Sequence, residues 1–389
     1  MFWVFENKKE FVMKDNPGEY ARDVDYKKID PFKRAMMEMA RKTFNFPNRW
    51  KVYLDEHGNA SYLGVGLPKF RILTEGLGHK NRIAEEMYSA CPSGETYYNH
   101  IGEDTMLMAI NDIIAFGARP VCYTDEVASP NSEWFEDEKR SMDLAEGFFT
   151  ECKRDGIALT GGESPSLPLL VRPWRSFGWM RPKSRLLSAP VLSGCVLGII
   201  PPYTRPINRH GLCAGDVIIG VTSSGLHSNG STLVIRRSRD LPEQFLTKLP
   251  NGNTLGEEAL IPTRSYVDLV DALLEEEIDI HALIPGTGGG ISKVAADERP
   301  FTYRIHSWVD EIPPLFLFMR ELGVTLRDCV ATFNWGVGYY IIVPPSEVAR
   351  TLSVGEKSGY ELFEIGRVEE GERKVIFEPE DLVLAPPGG

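Results

Sequence analysis

Four acidic side chains, Glu75, Asp104, Asp112 and Glu163, stand at the ends of strand-like runs or on helix-like faces, each beside a glycine-permissive turn. Hard carboxylate oxygens so placed suit Mg2+ and the triphosphate whose charge it neutralises. Lys80 follows the turn Glu75-Gly76-Leu77-Gly78-His79 and offers a flexible point charge for a β- or γ-phosphate. A second constellation occupies residues 215–230. Residues 217–221 are apolar and β-branched, residues 223–230 supply small and hydroxyl side chains, and residues 231–237 read as a helix. Backbone N–H groups at such a helix start hold phosphate or carboxylate without a positive side chain, which makes Ser224, Gly225 and Ser228 candidate substrate contacts. His227 and Asn229 exceed what a turn requires. The imidazole is expected to donate to a substrate oxygen or shuttle a proton near neutral pH, and the amide to hold a substrate amide or phosphate. Gly288, Gly289 and Gly290 permit close backbone approach and open a further helix, and His281 precedes them by a strand's length, which allows both to border one pocket. The plain alternatives are an ordinary strand-turn-helix corner, a histidine that closes its own turn, and solvated acids.

The elements that must carry these residues follow from periodicity. The spacing predicts an amphipathic helix over 31–43 in an otherwise charged and irregular start, then a strand over 70–74, helices over 104–116 and 134–154, and strands over 121–127, 157–160, 176–180 and 191–200. Pro201, Pro202 and Pro206 stiffen a connector that cannot join a sheet interior, so the chain divides there. Beyond it come the 217–221 strand, a helix over 264–276, and strands over 281–284, 301–305 and 338–343. Strands alternating with helices predict an α/β or mixed α+β arrangement. The expected division is a 1–60 extension with one helix, a first domain over 61–205 and a second over 206–389.

The strand, the SSGLHSNG turn and the helix after it resemble the signature of the aminoimidazole ribonucleotide synthetase superfamily. Four more blocks follow its pattern: Ile101-Gly102-Glu103-Asp104 through Ala109-Ile110-Asn111-Asp112, Thr160-Gly161-Gly162-Glu163-Ser164, Pro285-Gly286-Thr287-Gly288-Gly289-Gly290, and Thr332-Phe333-Asn334-Trp335-Gly336-Val337-Gly338. The last of these, with Pro262-Thr263-Arg264-Ser265-Tyr266, is most similar to the synthetase branch itself. Together they are far more specific than any one of them. The resemblance implies a two-lobed fold, an N-terminal sheet lobe that binds ATP and dimerises, and a C-terminal α/β lobe. It implies ATP contacts at Lys80, Gly76, Gly78, Asn111, Gly161 and Gly162, and it strengthens Asp112 and Glu163 as metal ligands. The implied reaction is ATP-dependent closure of formylglycinamidine ribonucleotide to aminoimidazole ribonucleotide by a homodimer.

The chain departs from that pattern in places. Glu75 replaces the family's Asp, His79 replaces a hydroxyl residue, and Ser164-Pro165-Ser166-Leu167-Pro168-Leu169 stands where the family has Thr-Ala-Glu-Met-Pro-Gly, with one acid fewer. Residues 20–25 only echo the family's N-terminal glycine motif. A paralogue that uses ATP on another small substrate, and a nucleotide-binding scaffold without turnover, therefore stay open. A selenophosphate synthetase would need a reactive cysteine in a glycine-rich N-terminal segment, and none precedes Cys91.

Composition bounds the rest. A chain of 389 residues suits two cores. Its net charge of -12 opposes a nucleic-acid binder, and an acidic nucleotide enzyme needs Mg2+ beside its ATP. The six cysteines form no Cys-x-x-Cys pair, the seven histidines show no metalloprotease spacing, and no Gly-x-Ser-x-Gly elbow occurs. No apolar run spans a bilayer and no secretory leader is evident, so a cytoplasmic location with no membrane partner is expected.

Overall fold

In the computed structural model the described residues are 51–54, 60–64, 69–91, 93–175, 186–202 and 204–387. The expected helix over 31–43, the motif at 20–25 and the strand over 176–180 lie outside them.

The first lobe is a sheet of strands β1 (Lys51–Leu54), β2 (Ala60–Gly64), β3 (Lys69–Gly76), β4 (Arg119–Ala128), β5 (Ala158–Glu163) and β8 (Val191–Ile200), in the order β1-β2-β3-β8-β4-β5. β6 (Trp174–Arg175) and β7 (Leu186–Leu187) pair separately. The sheet thus begins within the segment that the sequence assigned to an extension. Helices α1 (Lys80–Ala90), α2 (Tyr98–Ile113) and α3 (Glu138–Asp155) follow the loops between these strands. Along β8 burial alternates strictly, with Leu192, Val196 and Ile200 inside and Val191 out, because one face lies under α2 and the other is bare. The Tyr123 hydroxyl crosses from β4 to donate to the Thr105 carbonyl of α2.

The second lobe runs β9 (Val217–Thr222), α4 (Ser231–Ser238), α5 (Leu255–Ala259), α6 (Val267–Glu275), β10 (Ala282–Pro285), β11 (Phe301–Ile305), α7 (Pro314–Glu321), α8 (Leu326–Thr332), β12 (Val337–Val343), α9 (Val348–Lys357), β13 (Leu362–Glu370), β14 (Lys374–Phe377) and β15 (Leu382–Leu384). Its sheet has the order β10-β12-β9-β13-β11-β14-β15. Every residue of β12 is buried, as the unbroken apolar run Val337–Val343 requires of a strand covered on both faces. Most neighbouring strands in both sheets are antiparallel, with β4–β5 and β11–β14 parallel, so the mixed α+β expectation holds. The sequence missed β13, whose charged residues hide its two-residue period although it pairs with both β9 and β11.

Candidate active site between the lobes

The turn that ends β3 meets the second lobe directly. Gly78 adopts φ of 78°, which lets the chain reverse into α1. His79 Nδ1 lies 2.9 Å from Thr232 Oγ1 in the first turn of α4. Lys80 is fully buried. Its ammonium forms a 2.7 Å ion pair with Asp104 Oδ2, outside hydrogen-bonding angles, and donates to the Ile261 carbonyl at 2.7 Å. Burial pulls the Lys80 pKa down, and the Asp104 carboxylate opposes it. Asp104 Oδ1 in turn accepts from Thr263 N at 2.8 Å and Thr263 Oγ1 at 2.5 Å.

These contacts correct three sequence assignments. Lys80, expected at a phosphate, is fully buried and in this conformation spends its ammonium on Asp104 and the Ile261 carbonyl. Asp104 faces no solvent and is spent on Lys80 and Thr263, so in this conformation it fastens the lobes together and offers no oxygen to a metal. Asn111 was grouped with the ATP contacts, but its amide donates to the Arg264 carbonyl and accepts from Tyr266 N, both in the same connecting segment.

The 222–230 loop hangs on that segment too. Ser224 Oγ donates to the Pro262 carbonyl at 2.6 Å, and Ser228 Oγ lies 3.2 Å from Thr263 Oγ1. Asn334 closes the loop from the other side, donating to the Gly225 carbonyl while its Oδ1 accepts from Ser223 Oγ and Gly336 N. His227 takes a left-handed φ of 56° and is buried, and its Nε2 accepts from Ser224 N at 3.2 Å. An accepting Nε2 leaves the proton of the neutral ring on Nδ1. Burial, with Lys80 and Arg264 nearby, pushes the His227 pKa down to about 3. The expected proton shuttle near neutral pH is therefore replaced by a neutral imidazole that closes the turn. Asn229 Nδ2 is buried without a hydrogen-bond partner at the start of α4, an unspent donor beside the loop's backbone N–H groups.

The remaining carboxylates separate by register. Glu75, Gly194, Asp125 and Gly162 form one row across β3, β8, β4 and β5, on the face that α2 covers. Gly76, Ser193, Glu126 and Glu163 form the next row, on the bare face, where Ser193 Oγ donates to Glu126. Glu75 and Glu163 thus lie on opposite faces at the same end of the sheet, the end that carries the Gly76–Lys80 turn. Gly161 sits one step back on the bare face. The Asp125 carboxylate lies over Gly162, where a Cβ would make it swing aside. No described cation pairs with Asp125, and burial raises its pKa. Sequence reading missed Asp125 and Glu126; the signal was two adjacent acids in an otherwise apolar strand.

Asp112 lies two turns beyond Asp104 on α2, about 12 Å along the axis. Its Oδ1 is enclosed and accepts no hydrogen bond, and burial lifts its pKa to about 6 against the pull of Lys293 and Arg209. It makes no hydrogen bond or ion pair with Lys80 or Glu163. The helix expected after the triple glycine is a six-residue 3-10 segment, Gly290–Ala295. Gly290 is packed against the Val330 carbonyl of α8, where a Cβ would overlap, so this backbone seats a helix; Gly288 and Gly289 remain half-buried beside it. His281 is not at that pocket. β10 is extended, so its four residues carry His281 about 13 Å from the glycines, and His281 Nδ1 meets Asp216 Oδ2 at 2.8 Å instead.

Comparisons with known proteins agree with this two-lobed plan. Residues 72–172 match the AIR synthase related protein N-terminal domain and residues 214–378 its C-terminal domain. The chain is 31% identical over 365 residues to a phosphoribosylformylglycinamidine cyclo-ligase of Pyrococcus horikoshii, covering 92% of this chain and 95% of that one. Among solved structures, thiamine-monophosphate kinase from Stenotrophomonas maltophilia superposes with a TM-score of 0.55 at 18% identity, covering 88% and 95% of the two chains. Hydrogenase maturation protein HypE in complex with ATP does so at 0.51 and 16%, covering 82% and 84%. Both likenesses establish the shared fold. With both of its domains and nearly its whole length matched, this chain belongs to the AIR synthase related family.

Proposed function

We propose that this chain is an ATP-dependent cyclo-ligase that closes formylglycinamidine ribonucleotide to aminoimidazole ribonucleotide. The observation that carries the reading is the junction of the Gly76–Lys80 turn of one lobe with the first turn of α4 and the 222–230 loop of the other. The relatives named as cyclo-ligases match over both lobes, whereas the kinase and maturation folds share only the architecture.

In this reaction the formyl amide oxygen attacks the γ-phosphorus of ATP and ADP leaves. The amidine nitrogen then bonds to the activated carbon, inorganic phosphate departs with the former formyl oxygen, and a proton is lost as the ring becomes aromatic. The chain contributes positioning and fixed dipoles. Loop N–H groups and the unspent Asn229 Nδ2 are placed for substrate phosphate or amide, with Ser224, Gly225 and Ser228 shaping the seat. Gly76 and Gly78 expose backbone to the nucleotide, whose ATP-bound relative in the fold is HypE.

Mg2+, which supplies neutralising charge to the phosphates, fits the carboxylates at the end of the first sheet. Asp125, which pairs with no described cation and leans over Gly162, would be its first ligand; the Tyr123 hydroxyl lies over Gly194 between Asp125 and Glu75, so Glu75 would join only from the strand end, and Glu126 and Glu163 stand on the other face. A second copy of the chain suits the bare face of that sheet, where Ile72 is 52% and Val191 58% exposed. Such a homodimer would bring Glu126 and Glu163, which stand on that face, to its joint. A cytoplasmic location goes with the proposed reaction. Among the described residues no helix is long and apolar enough to cross a membrane.

The test is ADP release that depends on formylglycinamidine ribonucleotide, with the aromatic amine product read by diazo coupling. Release that depends on another acceptor would make the chain a paralogue, and nucleotide binding without release would make it a scaffold.

A further inference from the structure

Cys213, Asp216 and His281 bring a thiol, a carboxylate and an imidazole together at the end of the second sheet opposite the inter-lobe site. Cys213 and Asp216 lie on the turn that enters β9, and His281 immediately precedes β10. Both strands pair antiparallel with β12, so they run in the same direction and their starts share one end of the sheet. β9 separates this end from Ser223, where the inter-lobe loop begins, by about 20 Å.

The three side chains converge without help from a fixed cation. His281 Nδ1 is 2.8 Å from Asp216 Oδ2, Cys213 Sγ donates to Asp216 Oδ1 at 3.5 Å, and one ligating atom from each residue lies within 4.8 Å of the others. Asp216 is only 1% exposed, yet its one ion-pair partner among the described residues is His281, which is charged only when protonated. The nearby Arg299 is turned to Asp297 and to the carbonyls of Arg209 and Leu212. Buried carboxylates are paired or coordinate metals. The chain also makes room for the imidazole, because a Cβ at Gly211 would come within 2.8 Å of its ring.

Ligand chemistry selects the ion. Bond lengths of about 2.0–2.1 Å to nitrogen or oxygen and about 2.3 Å to sulfur put tetrahedral ligands about 3.3–3.6 Å apart. The 2.8 and 3.5 Å separations run to different oxygens of Asp216, and one ligand atom from each residue lies within 4.8 Å of the others, so side-chain shifts of about an ångström bring the set to that spacing. A thiolate and an imidazole disfavour Mg2+ and Ca2+ and favour zinc-type ions. Asp279 Oδ2 stands 3.6 Å from His281 Nε2, so a small rotation would let it accept from the Nε2 N–H and fix the ring when Nδ1 binds metal. Cys213 is exposed, so the side that would hold the last ligand opens to solvent. We propose that Cys213, Asp216 and His281 form a site for a thiophilic divalent cation of the zinc type, separate from any magnesium bound with nucleotide.

The full chain, stripped with chelator and kept reduced, is titrated with Co2+ and followed by absorption. The wild type is expected to develop a saturable thiolate-to-cobalt charge-transfer band that Zn2+ abolishes and excess Mg2+ leaves intact. Cys213→Ser, at an exposed position, should remove the band while the metal-free variant keeps the wild-type circular dichroism, and His281→Ala should weaken Co2+ binding about a hundredfold. Chelator-stripped wild type should also gain thermal stability with Zn2+, and Cys213→Ser should not. A wild type without a saturable band, or a band that persists in Cys213→Ser, overturns the assignment. None of these readouts involves turnover, so failure here leaves the cyclo-ligase reading standing.

Discussion

Replacing Asp104 with Asn tests how much stability rests on the buried Lys80–Asp104 pair of the first lobe, whose two members both bond to the 260–266 stretch of the second. Asparagine keeps an oxygen to accept from Thr263 N and Oγ1, so the change isolates the charge. It leaves an ammonium that is 0% exposed facing only the Ile261 carbonyl. Breaking a buried pair by removing one partner costs about 3–5 kcal/mol. The protein can instead deprotonate Lys80, and for a lysine of ordinary pKa near 10.4 that costs about 1.36 × 3.4, or about 4.6 kcal/mol, at pH 7. The cheaper route sets the loss, so Asp104→Asn should lower unfolding stability by about 3–5 kcal/mol in urea titrations. Its pH dependence has a definite sign. A lysine whose folded pKa lies below its unfolded one binds more protons when unfolded, so stability rises as pH climbs through the window between the two values. The deficit of Asp104→Asn should therefore shrink between pH 7 and about 10. The double variant Lys80→Met with Asp104→Asn removes both charges and should recover at least about 2 kcal/mol of the single variant's loss. A single-variant loss under about 1 kcal/mol, or a double variant no more stable than the single one, would refute the reasoning.

Three further outcomes follow from the site. Asp125→Asn should weaken binding of a non-hydrolysable Mg-ATP analogue about tenfold or more in isothermal titration, about 1.4 kcal/mol; unaltered affinity in both Asp125→Asn and Glu75→Gln would remove the metal from that row. Asp112→Asn should stabilise the protein by about 1–3 kcal/mol above pH 7 and by nothing near pH 4, because a carboxyl raised to about 6 binds its proton more tightly when folded and that stability drains away as pH rises from about 4 to 6. His227, held near 3, should show no imidazole titration by NMR between pH 5 and 8, so a kcat limb in that range that vanishes in His227→Gln would contradict its neutral role. The same depression makes stability fall as pH drops from about 6.5 towards 3.

Local pattern made much of this molecule readable, and what it hid was register. The β-branched run of β9 and the small residues after it showed the strand, turn and helix of residues 217–238 almost to the residue, because period and turn chemistry are local. Lys80 and Asp104 were both singled out, but nothing in the sequence says that a carboxylate 24 positions away neutralises the lysine. Glu75 and Glu163 were grouped as ligands because both end strands near glycine. Pairing through β8 and β4 shifts them onto opposite faces and aligns Glu75 with Asp125, a row that only the order β3-β8-β4-β5 creates. His281 was misplaced for a similar reason, since a short extended strand is long in space. His227 was read through its ordinary pKa, which burial and neighbouring cations erase.

The geometry of residues 260–266 suggests why the family's blocks are spread so widely along the chain. His100, Lys80, Asp104, Asn111 and Asp155 of the first lobe all bond to this one stretch, through Leu260 O, Ile261 O, Thr263, Arg264 O with Tyr266 N, and Ser265. Ser224 and Ser228 of the substrate-side loop bond to it from the other side. These directional bonds of about 1 kcal/mol each add distance and angle to the apolar packing that also joins the lobes, as where Met87 lies against Gly256. For the reaction proposed above, in which a phosphoryl group would pass from nucleotide to an amide oxygen, fixed distance is what catalysis by positioning requires, since a displacement of about 1 Å costs about a hundredfold in rate. Motifs that look like separate ligand sites in the sequence are then, in part, the two halves of a single joint.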